Sequence, residues 1–379
     1  MDHYVAPEEY RPDAERQLLD RADLDAPTWV LVWRRFKRHK LGVACFLFLA
    51  IGYAVLPFVE ILAPYTPNRF NEDAIYAPPQ NLYLFHEGQY IGLHTSPTAT
   101  VYDLETGLVK KTEDRSVALL VPVLTTCGET YRLLGLIEGR FRIICPPEEG
   151  ELFLLGSDRL GRDMLSRMIY GARLSMTIGL IGVAVSFAIG LLLGGVAGYF
   201  GGWIDATVQR LIEIFRSLPE LPIWLALSAA VPVNWGPITV FFMISIILGL
   251  LDWPGLARAV RSKFLALREE DYVRAAELMG AKPRRIIMAH MMPNFMSHLI
   301  ASATLSIPAM ILGETALSFL GLGLRPPAVS WGMMLNDALN LNAVAIYPWI
   351  LMPMIPVILA VLAFSFVGDA LRDALDPYS

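Results

Sequence analysis

Long uncharged apolar blocks alternate with polar segments along this chain. Leu41–Val59, Leu174–Ile204 and Leu221–Leu251 carry no charged residue. A bilayer core requires about 20 apolar residues in helical form, so the pattern predicts an all-α polytopic membrane protein with about six transmembrane helices. The first covers Leu41–Val59 and the second lies within Leu174–Ile204. The run Pro232-Val233-Asn234-Trp235-Gly236-Pro237 reads as a tight turn. It divides the third block into a span at Ile212–Val231 and another at Ile238–Ala257. The remaining two are expected at Phe295–Ala316 and Trp349–Gly368.

The segment 64–158 breaks this pattern. It has more acids than bases and holds short β-leaning runs at Gln89–Leu93, Val117–Leu124 and Tyr131–Ile137. Turn signals at Ser96-Pro97, Glu105-Thr106-Gly107 and Cys127-Gly128 separate them,. A small β-rich insertion between helices 1 and 2 is therefore expected.

Composition changes the picture in one respect. With 55% hydrophobic and 18% charged residues, the chain carries too little charge for a soluble surface of this length. The net charge of −5 argues against a nucleic-acid partner,. Membrane lipid is the expected surrounding.

Charge placement sets orientation. Positions 1–28 are polar and acidic, and the first apolar block has no small-residue cleavage site after it, so it reads as a retained span. Arg34, Arg35, Lys37, Arg38 and Lys40 precede it. Basic residues favour the cytoplasmic side, which puts the N-terminus there and residues 64–158 outside. The segment from Arg258 to Pro293 returns to the cytoplasm with a second basic excess. Six spans bring the C-terminus back as well. Cys127 and Cys145 share the outer segment; they pair if that compartment is oxidising, or remain two free thiols.

The cytoplasmic segment between the fourth and fifth spans carries the most specific pattern. Ala275, Ala276, Leu278 and Met279 favour a short helix. The acids Glu269, Glu270 and Asp271 at its front suit the helix dipole. Gly280 is placed to stop it and Pro283 cannot continue it. Adjacent Ala275 and Ala276 allow another backbone to approach closely. The bland alternative is an amphipathic helix on the membrane surface.

The run Tyr272-Val273-Arg274-Ala275-Ala276-Glu277-Leu278-Met279-Gly280-Ala281, followed by His290-Met291-Met292-Pro293-Asn294, resembles the "EAA" loop of ABC importer permeases. Ala275, Ala276, Gly280 and Pro293 match that pattern. Arg274 stands where the name-giving Glu would be, and Met291-Met292 replace Ile-Leu. Leu155-Gly156-Ser157-Asp158-Arg159-Leu160-Gly161-Arg162-Asp163-Met164-Leu165-Ser166-Arg167 resembles the approach to the second span in the C-type subunit of dipeptide, oligopeptide and nickel importers. Leu317-Ser318-Phe319-Leu320-Gly321-Leu322-Gly323-Leu324-Arg325-Pro326-Pro327 with Ser330-Trp331-Gly332, and Gly368 to Pro377, are similar to further stretches of that group. Four stretches in the right order make the resemblance highly specific; the insertion 64–150 lies outside it.

The resemblance implies a bacterial inner-membrane permease, with Asp271, Tyr272, Val273, Arg274, Ala275, Ala276, Gly280 and Pro293 in an ATPase-coupling helix. It implies a second homologous permease subunit, two cytoplasmic ABC ATPases and an extracytoplasmic substrate-binding protein as partners. The organisation expected is a cytoplasmic segment at 1–40, a first helix at 41–63, a periplasmic insertion at 64–158 and a permease core at 159–379 with its coupling loop at 258–293. The solute would be a peptide or related small molecule.

No catalytic residue, metal site or cofactor is expected. No G-x-x-x-x-G-K-[ST] phosphate loop occurs, and Gly-Tyr-Phe-Gly-Gly at 198–202 lacks the Lys. Glu60, Glu213, Arg216, Asp252 and Glu314 are the charged candidates near spans. Glu213 and Arg216 are expected to pair, and Glu314 to make a structural hydrogen bond. An ion-gradient-driven secondary transporter is the alternative; it would need inverted repeats and intramembrane carboxylates.

Overall fold

A computed structural model of the protein describes residues 28–102 and 109–375. The turn signal at Glu105-Thr106-Gly107 and the terminal Asp376-Pro377 fall outside the described residues.

The helices in chain order are α1 (Thr28–Arg38), α2 (Lys40–Val55), α3 (Val59–Leu62), α4 (Met164–Phe200), α5 (Gly202–Ser217), α6 (Glu220–Ala229), α7 (Pro237–Arg268), α8 (Asp271–Leu278), α9 (Pro283–Arg285), α10 (Met292–Phe319), α11 (Trp331–Leu335), α12 (Leu341–Ile346) and α13 (Met354–Leu375). A π-helical stretch, Ile286–Met291, joins α9 to α10. Among the described residues, five continuous helical runs are long and apolar enough to cross a membrane: Lys40–Leu62, Met164–Phe200, Pro237–Arg268, Pro283–Phe319 and Pro348–Leu375.

The crossing expected at Ile212–Val231 is instead a broken pair. Helix α5 ends at Ser217 and α6 begins at Glu220, with Pro219 extended between them (φ −71°, ψ 124°). Proline lacks the N–H an unbroken helix needs and disfavours helix in the residue before it. The pair must still carry the chain back across the bundle, because α4 and α7 run parallel. A Cβ at Gly249 would meet Gly182, one at Gly194 would meet Ala257, and one at Gly198 would meet Arg261. Both sequences rise together along the contact. Gly194, Gly198 and Gly249 are required there because the facing backbone lies where any side chain would sit.

The core of the bundle is apolar and continuous. Ile178, Ile244, Leu248, Ile311 and Leu317 are fully or almost fully buried within it. Helix α2 packs on α13 at one flank, where Gly42 faces Ala370. Burying such surfaces contributes about 25 cal/mol per Å² against water. In lipid that gain falls away, and close packing of small residues takes over.

Among the described residues the strands all fall between α3 and α4. β1 (Tyr83–His86), β2 (Gln89–Thr95) and β5 (Leu119–Leu120) form an antiparallel three-stranded sheet. β3 (Thr98–Tyr102) pairs with β4 (Val109–Glu113), and β6 (Val123–Leu133) with β7 (Ile137–Ile144). The Tyr131–Ile137 run therefore straddles a hairpin turn. Cys127-Gly128, read as a turn, lies inside β6 at an irregularity between Thr126 and Tyr131. Such a bulge absorbs an extra residue without ending the strand.

Polar contacts hold the insertion to the first helical run, and that run to α4. Arg142, fully buried, donates to Ala63 O at 3.1 Å and to Pro64 O. Glu60 accepts both arms of Arg173, at 2.8 and 2.7 Å.

Candidate functional site: the exposed helix between α7 and α10

Helix α8 forms as the residue types require. Its N–H groups begin to pair at Val273, which donates to Glu270 O at 3.0 Å. At its end Gly280 N donates to Glu277 O at 2.9 Å and Ala281 N to Ala276 O at 3.0 Å. Those two bonds with Gly280 at φ 77° make a Schellman stop,. Pro283 then opens the next helical run. The π stretch that follows lies just before Pro293, whose missing N–H interrupts the ordinary bonding ladder.

One face of α8 is anchored. Val273 and Ala276 are buried in a cluster with Val260, Phe264, Ile286, Met291 and Phe295. Ala276 therefore contacts this chain and not an approaching partner; adjacent helical residues lie about 100° apart, so Ala275 and Ala276 cannot share a face. Ala275 is exposed, as are Asp271, Tyr272, Arg274, Gly280 and Pro293.

The exposed residues are held by polar links. Tyr272 Oη accepts from Asn294 Nδ2 at 2.8 Å, which ties α8 to the start of α10. Arg274 pairs with Glu269 beside it. Tyr199 Oη donates to Glu277 Oε1 at 3.0 Å, and Arg268 donates to Tyr199 O at 3.1 Å. Helix α8 is thus clamped to the ends of α4, α7 and α10. Beyond the clamp, Leu278 and Met279 stand 90% and 81% exposed. The sequence offers this signal in plain form, two large apolar residues before a stop glycine in a polar loop. Tyr199 has no signal in spacing, because its role comes from the parallel packing of α4 and α7.

Two further stretches are hubs of hydrogen bonding. Asp158 Oδ1 accepts from Leu160 N at 2.8 Å and Arg162 N at 3.0 Å, while Oδ2 accepts from Arg162 Nε at 2.7 Å and from Arg167. Asp163 caps α4 through Ser166 N at 2.7 Å. Burial raises the Asp163 carboxyl to about 6, against hydrogen bonds from Ser166 that lower it. Glu314, fully buried, accepts from Ser318 and Ser330, each at 2.7 Å. Ser330 also caps α11. Glu314 therefore makes the structural hydrogen bonds expected of it and seats the segment after α10 against the bundle. Glu213 pairs with Arg210 at 2.9 Å rather than with Arg216.

A bundle of long apolar helices that leaves one short, clamped helix with an apolar tip outside it defines a polytopic membrane protein. Comparison with known proteins makes the class specific. Residues 190–378 match the family described as binding-protein-dependent transport system inner membrane component. Residues 28–79 match the N-terminal transmembrane domain of oligopeptide transport permease C. The chain is 40% identical over 232 residues to the dipeptide transport system permease protein DppC of Bacillus subtilis, covering 61% of this chain and 70% of that one. It is 39% identical over 233 residues to the oligopeptide transport system permease protein OppC of Haemophilus influenzae, covering 61% and 72%. An OppC of Mycobacterium bovis is 37% identical over 271 residues, covering 70% and 90%. The chain belongs to the binding-protein-dependent transport system inner membrane components, as a C-type permease of the dipeptide and oligopeptide ABC importers. It is a multi-pass inner-membrane protein and the membrane component, not the catalytic part, of such a system.

Proposed function

We propose that this chain forms half of the translocation pathway of an ATP-driven importer of peptides or related small solutes, and that α8 docks a cytoplasmic ATPase. The observation that carries the reading is the exposure of Leu278 and Met279 at the end of a helix otherwise clamped to α4, α7 and α10. An apolar pair on a rigid helix suits a groove on a partner, and the clamp would transmit its movement to three membrane helices. ATP then drives the cycle because it binds one arrangement of the ATPases better than the other.

The assembly proposed has a second homologous permease, two ATPases and an extracytoplasmic substrate-binding protein. ATP hydrolysis belongs to the ATPases. Arg34, Arg35, Lys37, Arg38 and Lys40, with the bases of 258–293, support cytoplasmic termini,. On that orientation the insertion at 64–158 is periplasmic. Cys127 in β6 and Cys145 just after β7, with Cα atoms 5.6 Å apart, then form a disulfide in an oxidising compartment.

The test is purification of the intact assembly in mild detergent carrying Leu278→Glu and Met279→Glu. The ATPases should accompany the wild-type chain and be lost from the variant, while the second permease remains. ATPases retained by the variant would overturn the docking role of α8.

A further inference from the structure

The β6–β7 hairpin turns through Leu133-Leu134-Gly135-Leu136. Gly135 N donates to Arg132 O at 3.1 Å and Leu136 N to Leu133 O at 2.9 Å. Leu134 and Gly135 have φ of 51° and 75°. Two successive positive φ values define a turn that Asn, Asp and Gly fill in water. A leucine in the left-handed region is strained, because its Cβ crowds the backbone. The residues around it are also apolar and exposed: Leu134 at 55%, Leu136 at 84% and Ile137 at 65%. Nothing in water favours that choice of residues at a hairpin tip.

The height of the tip is fixed by its contacts. Leu134 N donates to Glu60 Oε1 at 3.3 Å. Glu60 is the first charge after the uncharged Leu41–Val59, and its partner Arg173 is the last before the uncharged Leu174–Ile204. The Glu60–Arg173 pair therefore marks one edge of the hydrocarbon slab. Further along the same hairpin Arg142 reaches Ala63 O, beyond the end of the first span. The tip thus lies level with the pair, about one helical turn nearer the slab than the contact made by Arg142,. Phe58, at the end of the first span, is likewise apolar and 49% exposed. Behind the tip, Arg132 and Glu138 pair at 3.0 Å and are both well exposed, a polar collar where water begins.

We propose that the Leu134–Ile137 tip inserts into the headgroup and acyl boundary of the bilayer, so that the β insertion is seated on the lipid as well as on the helices. Leu133–Ile137 offers no side-chain donor or acceptor, which suits acyl chains and the glycerol region. The N–H groups of the turn are all bonded, Gly135 N and Leu136 N within the hairpin and Leu134 N to Glu60, so none is left unpaired toward lipid. The residues above it return to charge within one position on either strand.

The test is a fluorescent nitrobenzoxadiazole label on Leu136→Cys in the full chain with Cys45→Ala. The chain is reconstituted in phosphatidylcholine nanodiscs with or without bromine at positions 6 and 7 of the acyl chains. Bromine should lower emission by about half or more, the depth expected of an interfacial element being about 5–10 Å. The same label on Tyr90→Cys, at the exposed β1–β2 hairpin, should be unaffected. A Leu136 label insensitive to bromine and quenched by aqueous iodide overturns the proposal in favour of water. A label sensitive to neither overturns it in favour of a covering protein. Ile137→Cys supplies the same reading if the Leu136 variant is not recovered.

Discussion

Tyr199 Oη donates a 3.0 Å hydrogen bond to Glu277 Oε1, joining the last turn of α4 to the last turn of α8. A membrane helix and the helix proposed as the docking element are thus connected through one pair of side chains. A hydrogen bond to a charged group contributes about 1.5–3 kcal/mol when buried and less when water competes, as it does at exposed Glu277. Tyr199→Phe keeps the buried ring and removes the donor. It should leave chain abundance unchanged and lower peptide uptake about fivefold, from a loss near 1 kcal/mol. Glu277→Gln, which still accepts, should fall between. Uptake of a labelled peptide in cells checks both, and unchanged uptake in Tyr199→Phe would remove the link from the coupling path.

Ala275 and Ala276 look alike in sequence but have opposite surroundings. Ala276→Glu would place an unpaired charge in the cluster of Phe264, Ile286 and Phe295, at a cost of about 3 kcal/mol or more. It should reduce recovery of folded chain. Ala275→Glu meets solvent and should change stability by about 0.5 kcal/mol or less, yet weaken ATPase retention. Size-exclusion profiles read the first effect and co-purification the second. Equal behaviour of the two variants would contradict the burial pattern.

Much of this arrangement was legible in the sequence, and the exceptions have physical causes. Uncharged length located the bundle, and Gly280 located the end of α8, because both depend on local chemistry. The third crossing misled because the span set at Ile212–Val231 ran through Pro219 and the charges Glu213, Arg216 and Glu220, where the helix breaks. Cys127-Gly128 read as a turn because composition cannot distinguish a turn from a bulge inside a strand. The orientation of Ala276 and the role of Tyr199 depend on which helices become neighbours, and spacing along one chain does not carry that. Leu134 was hidden by an apolar run that reads as strand although a turn divides it.

Glu60 and Arg173 form a nearly buried bidentate pair that also receives Leu134 N. Arg173→Ala leaves Glu60, 4% exposed, without a counter-charge. Removing one partner of a buried pair costs about 3–5 kcal/mol; Arg173 is 27% exposed, so a loss of about 2–3 kcal/mol is expected. Replacing both residues by Met should restore much of it, since the pair's desolvation penalty disappears with its attraction. Thermal unfolding in detergent provides the comparison, and a double variant as unstable as Arg173→Ala would indicate that the hydrogen bond to Leu134 matters more than the charge.

Asp163 is the residue from which a pH effect can be worked out with its sign. Its carboxyl is raised from 3.8 to about 6, first by burial and then by nearby Asp158, against hydrogen bonds from Ser166 and Leu165. A raised folded-state value means that the protonated form is favoured in the fold. The contribution is therefore fully present below 3.8 and is lost as pH rises through about 6, a span that corresponds to about 3 kcal/mol. Asn caps a helix about as well as Asp and does not ionise. Asp163→Asn should therefore match the wild type near pH 4 and exceed it in melting temperature above pH 6, with the difference growing between those limits. Subtracting the two curves cancels the other carboxylates, whose titration is common to both. A difference that stays flat across this window would show that Asp163 is ionised in the fold throughout, with Ser166 outweighing the burial.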